Sequence, residues 1–213
     1  MELESRLNAV PGTVRPGGRT AKVRAAVLEA TRNALVDDGF HALNLDRIAA
    51  AADVGKTTVY RRWGSATGLV ADLLRDMAEQ SLPAADTGSL EGDLRANARL
   101  VLDTLTDPRM GPVFAAVIAA AACDEECAEA LRGFYATRLE TWAAVAERGL
   151  ARGEIPAGTD PVEVLRAVSA PLYYRFAVSR EPLSPPDADR AAAAALAAAR
   201  AGALRSQAPD DPG

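Results

Sequence analysis

Apolar positions in this chain recur at intervals of three and four, the spacing of a single helical face. In "TAKVRAAVLEATRNALVDDGF" such a face runs from Thr20 through Val23, Val27, Ala30, Ala34 and Leu35, and Gly39 stops it with Phe40 as an anchor beyond. Asn44 is a good N-cap for a short second helix whose stripe is Leu45, Ile48, Ala49 and Ala52. Asp53-Val54-Gly55 forms a turn, a third helix covers Lys56 to Trp63, and Ser65 caps a fourth that lasts until Pro83.

"PAADTGS" reads as a linker. Two helical runs follow, one broken by Pro108 and one ending near Asp124, then a long one from about Glu125 to Arg152. Its stripe holds Leu131, Phe134, Tyr135, Leu139, Trp142, Val145 and Ala146. Asp160 and Pro161 open the next, which Pro171 should kink. The last, roughly Asp187 to Leu204, is nearly all alanine, which permits close approach of a partner helix. Residues 1–18, with Pro11, Gly12, Pro16, Gly17 and Gly18, read as a flexible basic arm, and 207–213 as a disordered tail.

Composition agrees with an all-α fold of about nine helices: 213 residues, 49% hydrophobic, only 5% aromatic. No run of about 18 uncharged apolar residues occurs, so a cytoplasmic protein with no membrane partner is expected. His41 is the only histidine, and neither a nucleophile motif nor a glycine-rich phosphate loop accompanies it. No enzyme activity, catalytic residue or cofactor is therefore expected. Cys123 and Cys127 stand four apart in "CDEEC", unlike paired zinc knuckles; a structural role is expected for them, and no metal.

The net charge of -5 conceals a polarised distribution. Arg15 to Arg62 holds nine bases against five acids. Within that segment two short helices joined by a three-residue turn, the second rich in bases and hydroxyls, match the helix-turn-helix pattern. A helix in the major groove of double-stranded DNA needs an apolar back, here Val59 and Trp63, and a polar front. Lys56, Thr57 and Arg61 suit base reading, while Thr58, Tyr60, Arg62 and the helix start at Asn44 suit phosphates. Arg47 on the second helix joins this DNA-binding set, and Arg15 and Arg19 in the arm can reach a minor groove or the backbone.

"LNLDRIAAAADVGKTTVYRRWGSATGLV" resembles the DNA-binding domain of the TetR/AcrR family of bacterial transcriptional regulators over residues 20–75. "PLYYRFAVSREPL" is similar to one subgroup of that family. Two positions depart from its pattern: the turn reads Asp-Val-Gly where Gly-Val-Ser is usual, and Ala66 stands where a phosphate-touching lysine is common.

The resemblance implies a helix-turn-helix domain at 19–65, a regulatory and dimerisation domain at 66–206, and a small-molecule effector. Tyr135, Arg138, Trp142 and Tyr173, polar or aromatic on otherwise apolar faces, are either core residues with their polar tips at the surface or, as the resemblance favours, the lining of a small-molecule pocket between helices. A homodimer is expected through the last two helices, Asp160 to Leu204, acting as a repressor on a near-palindromic operator, with the fourth helix as the one connection between domains. The alternatives are a ligand-independent regulator with a solid regulatory domain, or a helical adaptor that does not bind DNA.

Overall fold

The computed structural model describes residues 18–80 and 84–206. Among these residues the chain forms 9 α-helices and no strand. In order they are α1 (Gly18–Asp38), α2 (Leu45–Ala51), α3 (Lys56–Trp63), α4 (Ala66–Glu79), α5 (Leu90–Thr106), α6 (Met110–Ala121), α7 (Glu125–Ala151), α8 (Pro161–Tyr173) and α9 (Pro185–Arg200).

Side-chain caps fix several of the helix starts. Asn44 Oδ1 accepts the amides of Asp46 and Arg47 at 2.8 and 3.2 Å, and Ser65 Oγ accepts that of Gly68 at 3.0 Å. Asp124 and Asp160 do the same for α7 and α8.

Some boundaries differ from expectation. α1 begins at Gly18, so Arg19 belongs to its first turn and not to an arm; Arg15, like the tail at 207–213, lies outside the described residues. α9 begins at Pro185 and ends at Arg200, earlier at both ends than expected. The prolines at its start occupy the first turn, where a missing N–H is harmless, and the Asp187 carboxylate accepts the Ser184 amide at 2.9 Å. At the proline of α8 the helix does not break: it continues to Tyr173, widens into a π-helical turn over Tyr174–Ser179, and stops at Arg180 with φ of 57°.

Two apolar clusters divide the interior. Val27, Ala30, Leu45, Ile48, Val59 and Trp63 close a small one among α1, α2 and α3 with Leu69 of α4. A larger one runs through α4 to α9, and Leu28 and Leu35 of α1 belong to it as well. Helix α1 therefore serves both cores. Arg109 at the start of α6 strengthens this second tie by pairing with Glu29 and Asn33 of α1. The expectation of a single connection at α4 is corrected: α1 and α4 both bridge the two parts.

The stretch before α5 is a linker by composition, yet residues 84–89 are tied down. The Thr87 amide and hydroxyl donate to buried Asp93 at 2.6 and 2.8 Å, and Arg148 donates to the Ala85 carbonyl. Alanines 188, 191, 192, 195 and 199 of α9 are buried against α5 and α8 of the same chain, so their small size serves internal packing first. Ala193, Ala194 and Ala197 face outward. Cys127 packs in the larger core, where burial, helped by the charge of Asp124, pushes its thiol up to about 11; Cys123 is exposed.

Candidate functional site

Helix α3 presents its two faces as the sequence requires. Val59 and Trp63 are buried, Thr58 is half-buried, and Lys56, Thr57, Tyr60, Arg61 and Arg62 are exposed. Tyr60 is one of the few large apolar side chains left in the open, at 51% exposure.

The turn before α3 is built on Asp53. Its amide and that of Val54 donate back to the carbonyls of Ala50 and Ala49, the paired bonds that close a helix with a left-handed residue. Asp53 supplies that residue at φ of 53°, a position usually given to glycine. Gly55 is then the N-cap of α3 and offers no side-chain bond.

Local charges are partly matched. Lys56 Nζ lies 2.7 Å from Asp46, both exposed; the hydrogen bond from Lys56 lowers the Asp46 pKa and raises that of Lys56. Arg47 pairs with Asp38 at 2.9 Å. Arg62 lies over the Trp63 ring, 4.9 Å from its centroid. The oxygen of the Asn44 side chain is committed to capping α2, which leaves its amide hydrogens to donate.

Behind α3 lies a network that sequence reasoning missed. Asp72 of α4 accepts the Trp63 indole at 2.9 Å and is gripped by Arg24 of α1, which also reaches Asp76 at 2.7 Å. Burial would raise the Asp72 pKa, but hydrogen bonds from Arg24 and Trp63 and the charges of Arg24 and Arg75 outweigh it and hold it below the usual range. One carboxylate so joins α1, α3 and α4.

In the larger part Tyr135, Arg138, Trp142 and Tyr173 all line one cavity of about 430 Å³. The rings of Tyr135 and Tyr173 meet edge to face at 5.4 Å, and Arg138 lies 5.3 Å over the Trp142 ring. Burial pushes both phenols up and the Arg138 guanidinium down from their usual ranges. Sequence reasoning did not include Arg32 of α1, Met77 of α4, Gln80 at the end of that helix, or Asn97 of α5, which also line the cavity. Polar residues at 32 and 97 within apolar stripes were the available signal.

A half-embedded helix with a basic, hydroxyl-bearing outer face, held by a turn against a capped neighbour, defines a helix-turn-helix DNA-binding protein, here joined to a hollow helical body. Residues 27–73 match the family described as bacterial regulatory proteins, tetR family, and residues 84–195 match the tetracyclin repressor-like C-terminal domain. The chain belongs to the TetR family of transcriptional regulators, DNA-binding proteins and not enzymes.

Among its relatives, the HTH-type transcriptional regulator YdeS of Bacillus subtilis is 31% identical over 155 residues, 72% of this chain and 78% of its own. The DNA-binding transcriptional repressor TetR of Mycobacteroides abscessus is 30% identical, over 71% of this chain and 80% of its own. The crystal structure of a TetR family transcription regulator superposes with a TM-score of 0.68 at 26% identity, covering 83% of this chain and 97% of that one. No described helix is long and apolar enough to cross a membrane.

Proposed function

We propose that this regulator is an effector-responsive repressor that binds a near-palindromic operator as a homodimer, with residues 19–65 as its DNA-binding unit and 66–206 as its regulatory and dimerisation unit. Lys56, Thr57 and Arg61 read bases; Thr58, Tyr60, Arg62, Arg47 and the amide of Asn44 hold phosphates. Arg15 and Arg19 add backbone or minor-groove contacts. Two copies are needed because a helix of two turns touches too few base pairs for specificity, and symmetry doubles the phosphates neutralised. The outward face of α9, with Ala193, Ala194 and Ala197, and the exposed Tyr174 and Val178 after α8 suit a partner copy, which would hold its recognition helix about 34 Å away.

The observation that carries effector response is the cavity's wall: Arg32 belongs to α1, and Met77 belongs to α4 with Gln80 directly after its last residue, the two helices that bridge to the recognition helix. A ligand there changes the packing of both. Moving the dimer from 99:1 bound to 1:99 requires about 5.5 kcal/mol of differential affinity. A cavity of this size also favours an effector over the ligand-independent reading, which expects solid packing.

The test is binding of the purified protein to the DNA upstream of its own gene as a function of salt. Tight binding, a steep salt slope and two protomers per site are expected. A shallow slope with no preference over random duplex, repeated in a genome-wide selection of bound fragments, would refute it.

A further inference from the structure

One polar side chain on the cavity wall is left without a partner. Asn97 of α5 is 6% exposed and lines the cavity, and among the described residues its amide meets no hydrogen-bond partner. Its oxygen and nitrogen are not sealed off as the Tyr135 hydroxyl and the Trp142 indole nitrogen are, so a molecule in the cavity can reach them. A buried amide left unpaired costs stability, and it offers an acceptor and two donors in one plane. The two hydroxyls of the lining are spent differently: Thr104 donates to the Leu100 carbonyl at 2.8 Å and Ser169 to that of Leu165 at 3.1 Å, which leaves both oxygens only to accept. Both arginines of the lining are engaged, Arg32 with Glu29 at 2.6 Å and Arg138 over the Trp142 ring, and no described residue of the lining carries a carboxylate. Phe114, Phe134 and Tyr173 supply aromatic surface.

We infer that the cavity takes an uncharged aromatic compound whose polar edge sets a hydrogen-bond donor beside an acceptor, a carboxamide or a lactam, paired in plane with the Asn97 amide. This deepens the effector reading above and rests on it. The same two-point match lets an asparagine read the edge of adenine, and it holds whichever way the side-chain amide is turned. A lone hydroxyl or ketone completes one of the two bonds and strands the other. A cation finds no carboxylate on the described wall, and a carboxylate brings only lone pairs to a wall where the oxygens of Asn97, Thr104 and Ser169 need donors. A cavity of about 430 Å³ suits a compound of two or three rings, near the small end of ligand sites, which span about 300–1,000 Å³.

The test is calorimetric titration at pH 7 with two ligand pairs that differ in the donor: naphthamide with the methyl ketone of the same shape, and quinolinone with its N-methyl derivative. Naphthoate is the charged control. On at least one ring the N–H compound should bind tighter than its donor-free twin by about tenfold or more, and naphthamide tighter than naphthoate. Asn97→Leu should erase that preference while leaving the affinity of the donor-free twin within about threefold, and Asn97→Ala gives the same comparison if the leucine variant does not fold. Donor-free twins that bind as tightly, naphthoate that binds tighter, or a preference that survives the loss of Asn97 overturns the assignment and leaves the cavity standing as an effector site. No binding by any of the five up to their solubility limits overturns the assignment too. The effector reading is judged apart, by operator affinity: a naphthamide or quinolinone that binds with the expected preference yet leaves operator affinity unchanged overturns that reading and keeps the site.

Discussion

Replacing Asp72 by alanine should lower the stability of the free protein by about 2–4 kcal/mol. The figure follows from what the carboxylate holds. It accepts charge-assisted bonds from Arg24 Nε and Nη2, both at 3.1 Å, with a side chain only 13% exposed. Such bonds to charged groups contribute about 1.5–3 kcal/mol. It also satisfies the indole of Trp63, a residue 8% exposed, and an indole left without a partner costs about 1–3 kcal/mol more. Arg24 keeps Asp76, so its charge is not abandoned, and the sum is smaller than the parts. Urea unfolding followed by circular dichroism measures the loss, and a cycle with Arg24→Ala isolates the pair at about 1–3 kcal/mol. Because the folded pKa of Asp72 is depressed, this contribution is complete at neutral pH and is lost as pH falls through the folded value. The gap between wild type and Asp72→Asn should therefore narrow once pH drops toward the ordinary aspartate value of about 4. A loss under about 0.5 kcal/mol for the alanine variant, or a gap that widens in acid, would refute the reasoning.

Other substitutions probe separate features. At Gly68 an added Cβ would stand 2.0 Å from the Trp63 carbonyl oxygen, so Gly68→Ala should cost more than about 2 kcal/mol in the same urea titrations. Tyr60→Phe and Arg62→Ala should weaken binding to every duplex, with the log–log salt slope shallower by about 1 for Arg62→Ala; Lys56→Ala and Thr57→Ala should also blur sequence preference. Fluorescence anisotropy on operator and scrambled duplexes distinguishes the two patterns, and uniform loss in all four would overturn the assignment of base readers. Asp46→Asn releases Lys56 and removes a negative charge beside the proposed base reader, so affinity for duplex DNA should rise, most at low salt. Gly55→Ser restores a hydroxyl at the α3 cap and restrains the unfolded chain, for a gain of about 0.5–1 kcal/mol read as a higher melting temperature.

The helix-turn-helix was legible because its signals are local. Asn44 and Ser65 announce helix starts within three residues of the amides they bind, and Ile48 and Val59 sit on short stripes whose period needs no distant partner. Residues 135, 138, 142 and 173 stood out for a different reason, as polar and aromatic groups on apolar faces, and they line one cavity; that pattern alone did not separate a cavity lining from core packing with the polar tips at the surface. What stayed hidden depends on distance along the chain. The partners Arg24 and Asp72 are 48 residues apart, and periodicity alone shows neither that they meet nor that Trp63 joins them. The double duty of α1 was hidden likewise, since Leu28 and Leu35 face a core completed by α4 to α9. The early start of α9 was written in Ser184 and the two prolines after it, a cap signal masked by the alanine run that follows.

The cavity is walled by α1 and α4 as well as by the regulatory helices, so under the proposed function occupant and operator would act on the same two helices. Linkage then works in both directions: whatever factor the occupant takes from DNA affinity, DNA takes from affinity for the occupant. Protein already on its operator would then be the less sensitive detector, and protein adrift in the cell the more sensitive one. The concentration at which a promoter opens would thus depend on copy number: each surplus molecule not on DNA captures effector first and shields the bound pair, so raising expression of the regulator shifts the response threshold upward even with every contact unchanged.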